Sequence, residues 1–307
     1  MCRRLGGGME IIMKQAYIIR SVIYILLQSI VYGFGNPLTK TAYESITPFW
    51  CLFFRFFLAF LIFMLFFGKS IIKQLKSAKI LDILPASLCM AFAYICCNIA
   101  LSLTSATNVG FLMSLPVIFA PILSTIILKE RYALSHLPLQ ILVIAGLILL
   151  CMQGGSLSFN KGDLFALMTA FFIAGSLVFG KKSLGTHLDP ITISATQAGC
   201  TALFSLIFAL VFDDVSVIAH IKLPAWGVVV YLAIFCTFIA YLLQNFALSW
   251  SPPSLVSMVQ CSQPVLTAII SFLLLGERLG TLGLIGAFII LACTLAESIK
   301  SRNESRD

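Results

Sequence analysis

The sequence predicts an all-α polytopic membrane protein with ten transmembrane helices, arranged as two inverted five-helix repeats. Three observations carry that expectation: a composition too apolar for water, ten runs of membrane-spanning length, and polar residues that recur in register along the chain. The 307 residues are 60% hydrophobic and only 10% charged, with 26 Phe. Mean hydropathy is +1.04. A soluble domain carries roughly 25% charged residues, so this chain lacks the polar surface to coat a globule in water.

Crossing a hydrocarbon core of about 30 Å takes about twenty apolar residues in a helix. Ten segments meet this requirement: 19–39, 47–67, 81–103, 106–128, 135–153, 163–181, 191–212, 225–247, 253–275 and 280–298. Connections between them are short and leave no room for a soluble domain. Residues 1–18 read as a cytoplasmic N-terminal tail, 19–155 as the first repeat, 161–298 as the second, and 299–307 as a cytoplasmic C-terminal tail. The start MCRRLGGGMEIIMK is basic and glycine-rich with no small-residue cleavage site after the first apolar run, which argues against a cleaved signal peptide. Met9 and Met13 offer alternative starts.

Charge sets the expected orientation. The net charge of +8 could point to nucleic acid, but the cations are distributed as in a membrane protein. With both termini cytoplasmic, 15 Lys and Arg residues fall on the cytoplasmic side and 4 (Lys40, Lys161, Lys222 and Arg278) on the other, with Arg55 inside the second span. Such a bias is the positive-inside pattern, so the expected location is the plasma (inner) membrane, multi-pass, with no nucleic-acid partner. The ten cysteines form no CxxC pair and have no neighbouring His. They read as small apolar groups, and neither metal nor cofactor is expected.

The internal repeat is the strongest pointer to mechanism. Ala93-Tyr94-x-x-x-Asn98-x-Ala100-Leu101-Ser102 recurs as Ala240-Tyr241-x-x-x-Asn245-x-Ala247-Leu248-Ser249, an offset of 147. The offset persists as Ser124 meets Ser271, Leu128-Lys129-Glu130-Arg131 meets Leu275-Gly276-Glu277-Arg278, and Ala145 meets Ala292. Upstream, Gly33, Lys40 and Pro48 meet Gly175, Lys182 and Pro190 at an offset of 142. Apolar coincidence does not reproduce Tyr, Asn and Glu-Arg in register. A repeat with an odd number of spans enters the membrane from opposite sides, the architecture of alternating-access carriers that hold cargo near the midplane.

From residue 20 to 298 the chain resembles the drug/metabolite transporter superfamily, in particular ten-helix exporters with two EamA-type repeats. The resemblance rests on Arg55-Phe56, the Ala-Leu-Ser ends of the third and eighth spans, and the proline-containing fourth and ninth spans that run into the Glu-Arg pairs. Asp189-Pro190 before the seventh span adds to it. It implies export or exchange of small metabolites, often amino acids, without naming the cargo.

Candidate site residues follow from the cost of polarity in a membrane. Arg55 is the only basic residue well inside a span, where it costs roughly 2.5–3.5 kcal/mol on insertion scales. Two readings stand open: a gating brace tied to backbone carbonyls or to Glu44, and direct binding of a substrate carboxylate. The carboxylates and the three His sit at helix ends or in loops, which disfavours a buried acidic proton relay. Uncharged polar groups form a candidate cavity: Asn36 and Ser176; Tyr94 and Asn98 one turn apart; Tyr241 and Asn245 in the same spacing, with Gln244 beside them; and Gln260 and Gln263 on one stripe with Thr267. Interhelical bonding is the plain alternative for each of them. As a set they suit a zwitterionic or aromatic metabolite. Pro37, Pro116, Pro121 and Pro264 interrupt spans, and Pro121 and Pro264 are gating candidates.

Gly175 to Lys182 superficially matches a phosphate loop, but Lys182 occupies the required Ser/Thr position and the stretch is an apolar helix. Asn303-Glu304-Ser305 matches a glycosylation sequon on the cytoplasmic tail and is set aside. The expected function is therefore secondary transport of a small metabolite by alternating access, in contact with the lipid bilayer, with oligomeric state undetermined. Drug or toxic-compound efflux on the same fold is the alternative. A membrane-embedded enzyme lacks its Asp cluster or nucleophile constellation, and a channel or ATP-driven permease fits the inverted repeat less well.

Overall fold

The computed structural model describes residues 2–104, 109, 112–129, 134–151, 161–275 and 280–304, with the side chains of 2–12, 36, 37, 40, 41, 151, 271–275 and 304 outside the description. The Asn36 side chain, Glu130-Arg131 and Glu277-Arg278 thus lie outside the described residues. The described chain is helical throughout: α1 (Cys2–Ala42), α2 (Pro48–Ser77), α3 (Ile80–Leu103), α4 (Pro116–Ile127), α5 (Leu137–Cys151) and α6 (Lys161–Leu184). Then come α7 (Pro190–Phe212), α8 (Leu223–Ala233), α9 (Ala240–Trp250), α10 (Pro253–Gln260), α11 (Gln263–Leu275) and α12 (Thr281–Glu304). A π-helical turn, Ile234–Ile239, joins α8 to α9, so Leu223–Trp250 runs as one rod.

Eight described helices are long and apolar enough to cross a membrane, and Pro116–Ile127 and Leu134–Leu150 are shorter apolar helices. Two elements depart from the expected boundaries. Residues 2–42 form one helix, so the predicted N-terminal tail continues the first span rather than trailing from it. The 30-residue α2 is about 45 Å long and overshoots a hydrocarbon core of about 30 Å. Lys69, Lys73 and Lys76 therefore ride on a helix instead of a loop.

Side-chain chemistry explains the starts and breaks. Pro48, Pro190 and Pro224 sit in first turns, where the missing N–H costs nothing. Asp189 caps α7 by accepting the Thr192 N–H at 2.7 Å. The fourth and ninth spans, expected as continuous rods, are broken by turns at Met113–Leu115 and Cys261–Ser262. Pro116 begins the helix that follows the first break and Pro264 is the second residue of the helix that follows the other, both in a first turn where a missing N–H is tolerated. Cys261 Sγ lies 3.5 Å from the Ser114 carbonyl, so the two breaks meet.

Helices pack in a reciprocal scheme. α3 lies along α6, and α1 along α9; α2 lies along α7, α5 along α12, and α4 against α10. α4 also touches α6 while α1 touches α11, and α3 touches α7 while α2 touches α8. The α2–α7 pair is clasped at both ends. Gln74 donates to the Asp189 carboxylate at 2.8 Å and accepts the Asp189 N–H at 2.9 Å. At the other end the Thr47 hydroxyl donates to Asp213. Trp50 and Trp226 mark one end of the bundle through Phe54, and Trp250 stacks on Tyr17 at the other, as expected of interfacial aromatics.

At the α5–α12 contact backbone meets backbone closely. A Cβ on Gly286 would lie 2.5 Å from the Gly146 carbonyl oxygen and 2.6 Å from the Leu150 nitrogen. Both are backbone atoms, which cannot swing away, so Gly286→Ala must separate the helices. We expect it to destabilise the protein by about 1–3 kcal/mol. Gly227 in α8 has nothing within 4 Å of its Cβ position, so Gly227→Ala should stabilise by up to about 1 kcal/mol through helix propensity. Thermal unfolding of the two variants in detergent checks the contrast.

Candidate functional site

Arg55 follows two turns of α2, about 10 Å from the helix start, and is 8% exposed. Its Nε donates to Thr237 Oγ1 at 2.7 Å and its Nη2 to the Cys236 carbonyl at 2.8 Å. Both acceptors belong to the π-helical turn, whose wider winding shifts the hydrogen-bond register. Thr237 Oγ1 itself donates to the Leu232 carbonyl at 3.0 Å. The guanidinium carbon lies 5.1 Å from the Phe56 ring centre and 5.3 Å from that of Tyr94. Charge-assisted hydrogen bonds contribute about 1.5–3 kcal/mol each and a desolvated cation–π contact about 2. Together they exceed the roughly 2.5–3.5 kcal/mol cost of an Arg at a helix centre.

Arg55 is therefore bonded to a backbone carbonyl and not to Glu44, which is exposed on the turn after α1. Among the described residues Arg55 has no carboxylate partner.

Three tyrosines surround the guanidinium within electrostatic reach: Tyr32, Tyr94 and Tyr241. Tyr32 and Tyr94 bring their hydroxyls to 3.4 Å of one another. Phe56 meets the Tyr94 ring edge-on at 4.8 Å and that of Tyr241 at 5.9 Å. Tyr241 is 1% exposed and its hydroxyl has no hydrogen-bond partner among the described residues. Tyr241 is buried and Tyr94 half-buried, with both rings packed against Phe56. Asn98, one turn beyond Tyr94, accepts from the Tyr43 hydroxyl at 3.2 Å, and its buried Nδ2 has no described partner.

One turn from Tyr32 along α1, Gln28 begins a second polar layer. Gln28 Nε2 donates to Gln244 Oε1 at 2.9 Å, and Gln260 Nε2 donates to the same oxygen at 3.0 Å. Three helices, α1, α9 and α10, are thereby joined by amides alone. A third group lies between α6, α7 and α9. Asn245 Nδ2 donates to Ser194 Oγ and Gln197 Oε1, both at 2.9 Å, and Gln197 Nε2 donates to Ser176 Oγ at 3.0 Å.

The structure thus brings together Arg55, Tyr94 and Tyr241, with Asn98 one turn along α3 and bonded to Tyr43, and separately Gln244 with Gln260. Asn245 and Ser176 are joined in the third group, where every named side chain is buried. Gln263 is half-buried at the start of α11, beyond the Cys261–Ser262 turn. The stripe expected through Gln260, Gln263 and Thr267 is therefore split between two helices. Pro121 is buried within α4, and Pro264 is half-buried in the first turn of α11. Sequence reasoning missed Gln28, Tyr32, Tyr43, Thr237 and Gln197. Gln28 and Tyr32 carried a signal, the same i, i+4 spacing that singled out Tyr94 and Asn98, and so did Thr237, four residues before Tyr241.

An apolar groove of about 330 Å³ runs between α2 and α8, lined by Leu58, Leu61, Ile62, Leu65, Val230, Ala233 and Ile234. With no polar lining side chain it can accept an acyl chain but cannot orient a polar metabolite. Among the described residues no group of three or more His, Cys, Asp or Glu could hold a metal ion.

Thr237→Val keeps the shape of the π-turn residue and removes the acceptor of Arg55 Nε. We expect a loss of about 1.5–3 kcal/mol, read by unfolding in detergent. A change under about 0.5 kcal/mol would show that other contacts hold the guanidinium.

Comparison with known proteins places these features in context. The chain is 26% identical over 276 residues to an uncharacterized transporter of Archaeoglobus fulgidus, covering 90% of this chain and 85% of that one. It is 23% identical over 306 residues to the Bacillus subtilis uncharacterized transporter YcxC, covering 92% and 94%. A solved crystal structure shares the fold at a TM-score of 0.77 and 17% identity, covering 94% of this chain and 98% of that one. The model of the EamA-like transporter family matches twice, over residues 19–152 and 160–296, and the chain belongs to that family of membrane transporters.

Proposed function

We propose that the protein is a secondary carrier that exports or exchanges a small metabolite, amino acids or related compounds, by alternating access across the plasma membrane. Ten spans form two inverted five-helix repeats with both termini cytoplasmic, and the cargo sits between the repeats at the Arg55–tyrosine cluster. The observation that carries this reading is the reciprocity of packing. Exchanging the first five spans for the last five turns α3–α6 into the α1 contact with α9, and α4–α6 into the α1 contact with α11. The same exchange turns α3–α7 into α2–α8, and returns α2–α7, α5–α12 and α4–α10 to themselves. Ser114 and Cys261, equivalent at the offset of 147, touch each other, as residues on a two-fold axis must. Two halves related this way can exchange conformations, opening the site to one side and then the other.

The polar cluster supports a cargo site at that junction. Arg55 on α2 and Thr237 in the α8–α9 rod come from different halves, as do Gln28 and Gln244. A relative movement of the halves remakes these contacts, which couples cargo to conformation.

Two measurements test the reading. Proteoliposomes loaded with unlabelled amino acids should accumulate a labelled one transiently by saturable counterflow. Failure across a broad amino-acid and metabolite panel would sink the carrier assignment. For topology, single cysteines replacing Glu130 and Glu277 in a background free of other cysteines should react from the cytoplasm and from outside respectively. Labelling of both from one side would defeat the inverted arrangement.

A further inference from the structure

We infer that the cargo, on the carrier reading above, carries a single carboxylate that docks at Arg55, with the Tyr241 hydroxyl and the Asn98 amide as its neutral donors. The argument begins with charge. Arg55 is 8% exposed, and its two hydrogen bonds run to neutral groups, a hydroxyl and a carbonyl. No described carboxylate neutralises it. A buried cation is normally paired, and the contacts that make this one tolerable leave a full positive charge inside the membrane. Nη1 makes no hydrogen bond to a described residue, so one edge of the guanidinium fork is available to a bidentate acceptor together with Nη2.

The second observation is independent of the first. The Tyr241 hydroxyl, on a residue only 1% exposed, makes no hydrogen bond of normal geometry to a described residue although Tyr94 is its close neighbour, and Asn98 Nδ2, on a residue 7% exposed, has no partner among the described residues. Both are groups able to donate, and an unmade buried hydrogen bond is costly. Tyr241 faces the same guanidinium, and Asn98 lies one turn along α3 from Tyr94, whose ring packs against it. One cation and two unpartnered donors thus lie on the three helices that frame the tyrosine cluster. The oxygens of a ligand can accept from each of them.

Charge matching selects the anion. One guanidinium balances one negative charge, whereas a phosphate dianion would leave net negative charge in a low-dielectric site. The walls are the rings of Phe56, Tyr94 and Tyr32, which suit an apolar or aromatic remainder on the cargo. A simple monocarboxylate fits this description outright, an amino acid fits it through its carboxylate alone, and a cationic drug does not.

The test uses the purified full-length chain in detergent, with matched probes differing only in charge: benzoate against benzamide, 3-phenylpropionate against its amide, L-leucine against L-leucinamide, and inorganic phosphate alone. Carboxylates should raise the unfolding temperature and their amides should not. Arg55→Gln should abolish that shift and Arg55→Lys should retain part of it. Should Arg55→Gln fail to fold, Tyr241→Phe decides. It deletes a hydroxyl with no described partner, so the empty protein should be as stable as before or more so, while carboxylate affinity drops about tenfold.

Amides that stabilise as well as acids overturn the inference. So do carboxylate shifts unchanged by Tyr241→Phe, phosphate as the sole stabiliser, or no shift from any probe. Counterflow separates the two readings: transport of uncharged or cationic compounds alone leaves the carrier standing and removes the carboxylate. Arg55-dependent carboxylate binding without counterflow does the reverse.

Discussion

The contact between Arg55 and the π-helical turn of the α8–α9 rod governs how the bundle is organised. A guanidinium inside a membrane needs acceptors that a regular helix does not offer, because its carbonyls are already committed to the next turn. The turn at Ile234–Ile239 presents the Cys236 carbonyl and the Thr237 hydroxyl side by side. One bidentate grip thus ties α2 to the rod opposite, and the rings of Phe56 and Tyr94 close around the same charge. The tyrosine cluster takes its position from this grip.

Around that centre the fold combines two kinds of contact with different capacities for movement. The α5–α12 seam is a backbone approach through Gly146 and Gly286, which permits little adjustment. The layer of Gln28, Gln244 and Gln260 is amide to amide. Such bonds contribute on the order of 0.6–2 kcal/mol in membranes and re-form with other partners at small cost. The bundle thus pairs a close backbone seam with a polar interior whose bonds can be remade.

Much of the interior was legible in the chain because polarity is rare there. Tyr94 with Asn98 and Tyr241 with Asn245 stood out by spacing and by recurrence, and all four lie inside the bundle. Their partners were not legible. Asn98 bonds Tyr43 on the turn after α1, whereas its counterpart Asn245 bonds Ser194 and Gln197 on α7. The two motifs match in sequence, yet the loops and helices facing them do not. The stripe on the ninth span failed for a local reason: Pro264, with no N–H, sits in the first turn of a new helix that starts at Gln263 after the turn at Cys261–Ser262. The π-turn gave no warning either, since Ile234-Phe235-Cys236-Thr237-Phe238-Ile239 reads as ordinary apolar helix.

By itself the sequence determined that this chain lives in a bilayer, that it is a duplication, and which residues are too polar to face lipid. Those are consequences of composition, periodicity and register, which each segment carries locally. Only the tertiary structure decided that Arg55 is held by a helix irregularity rather than by Glu44, and that the polar residues sort into a charged cluster, an amide layer and a hydroxyl–amide group. Pairing across nearly two hundred residues, as between Arg55 and Thr237, depends on which helices come to lie together. That is set by close packing of whole faces, not by any local run of residues.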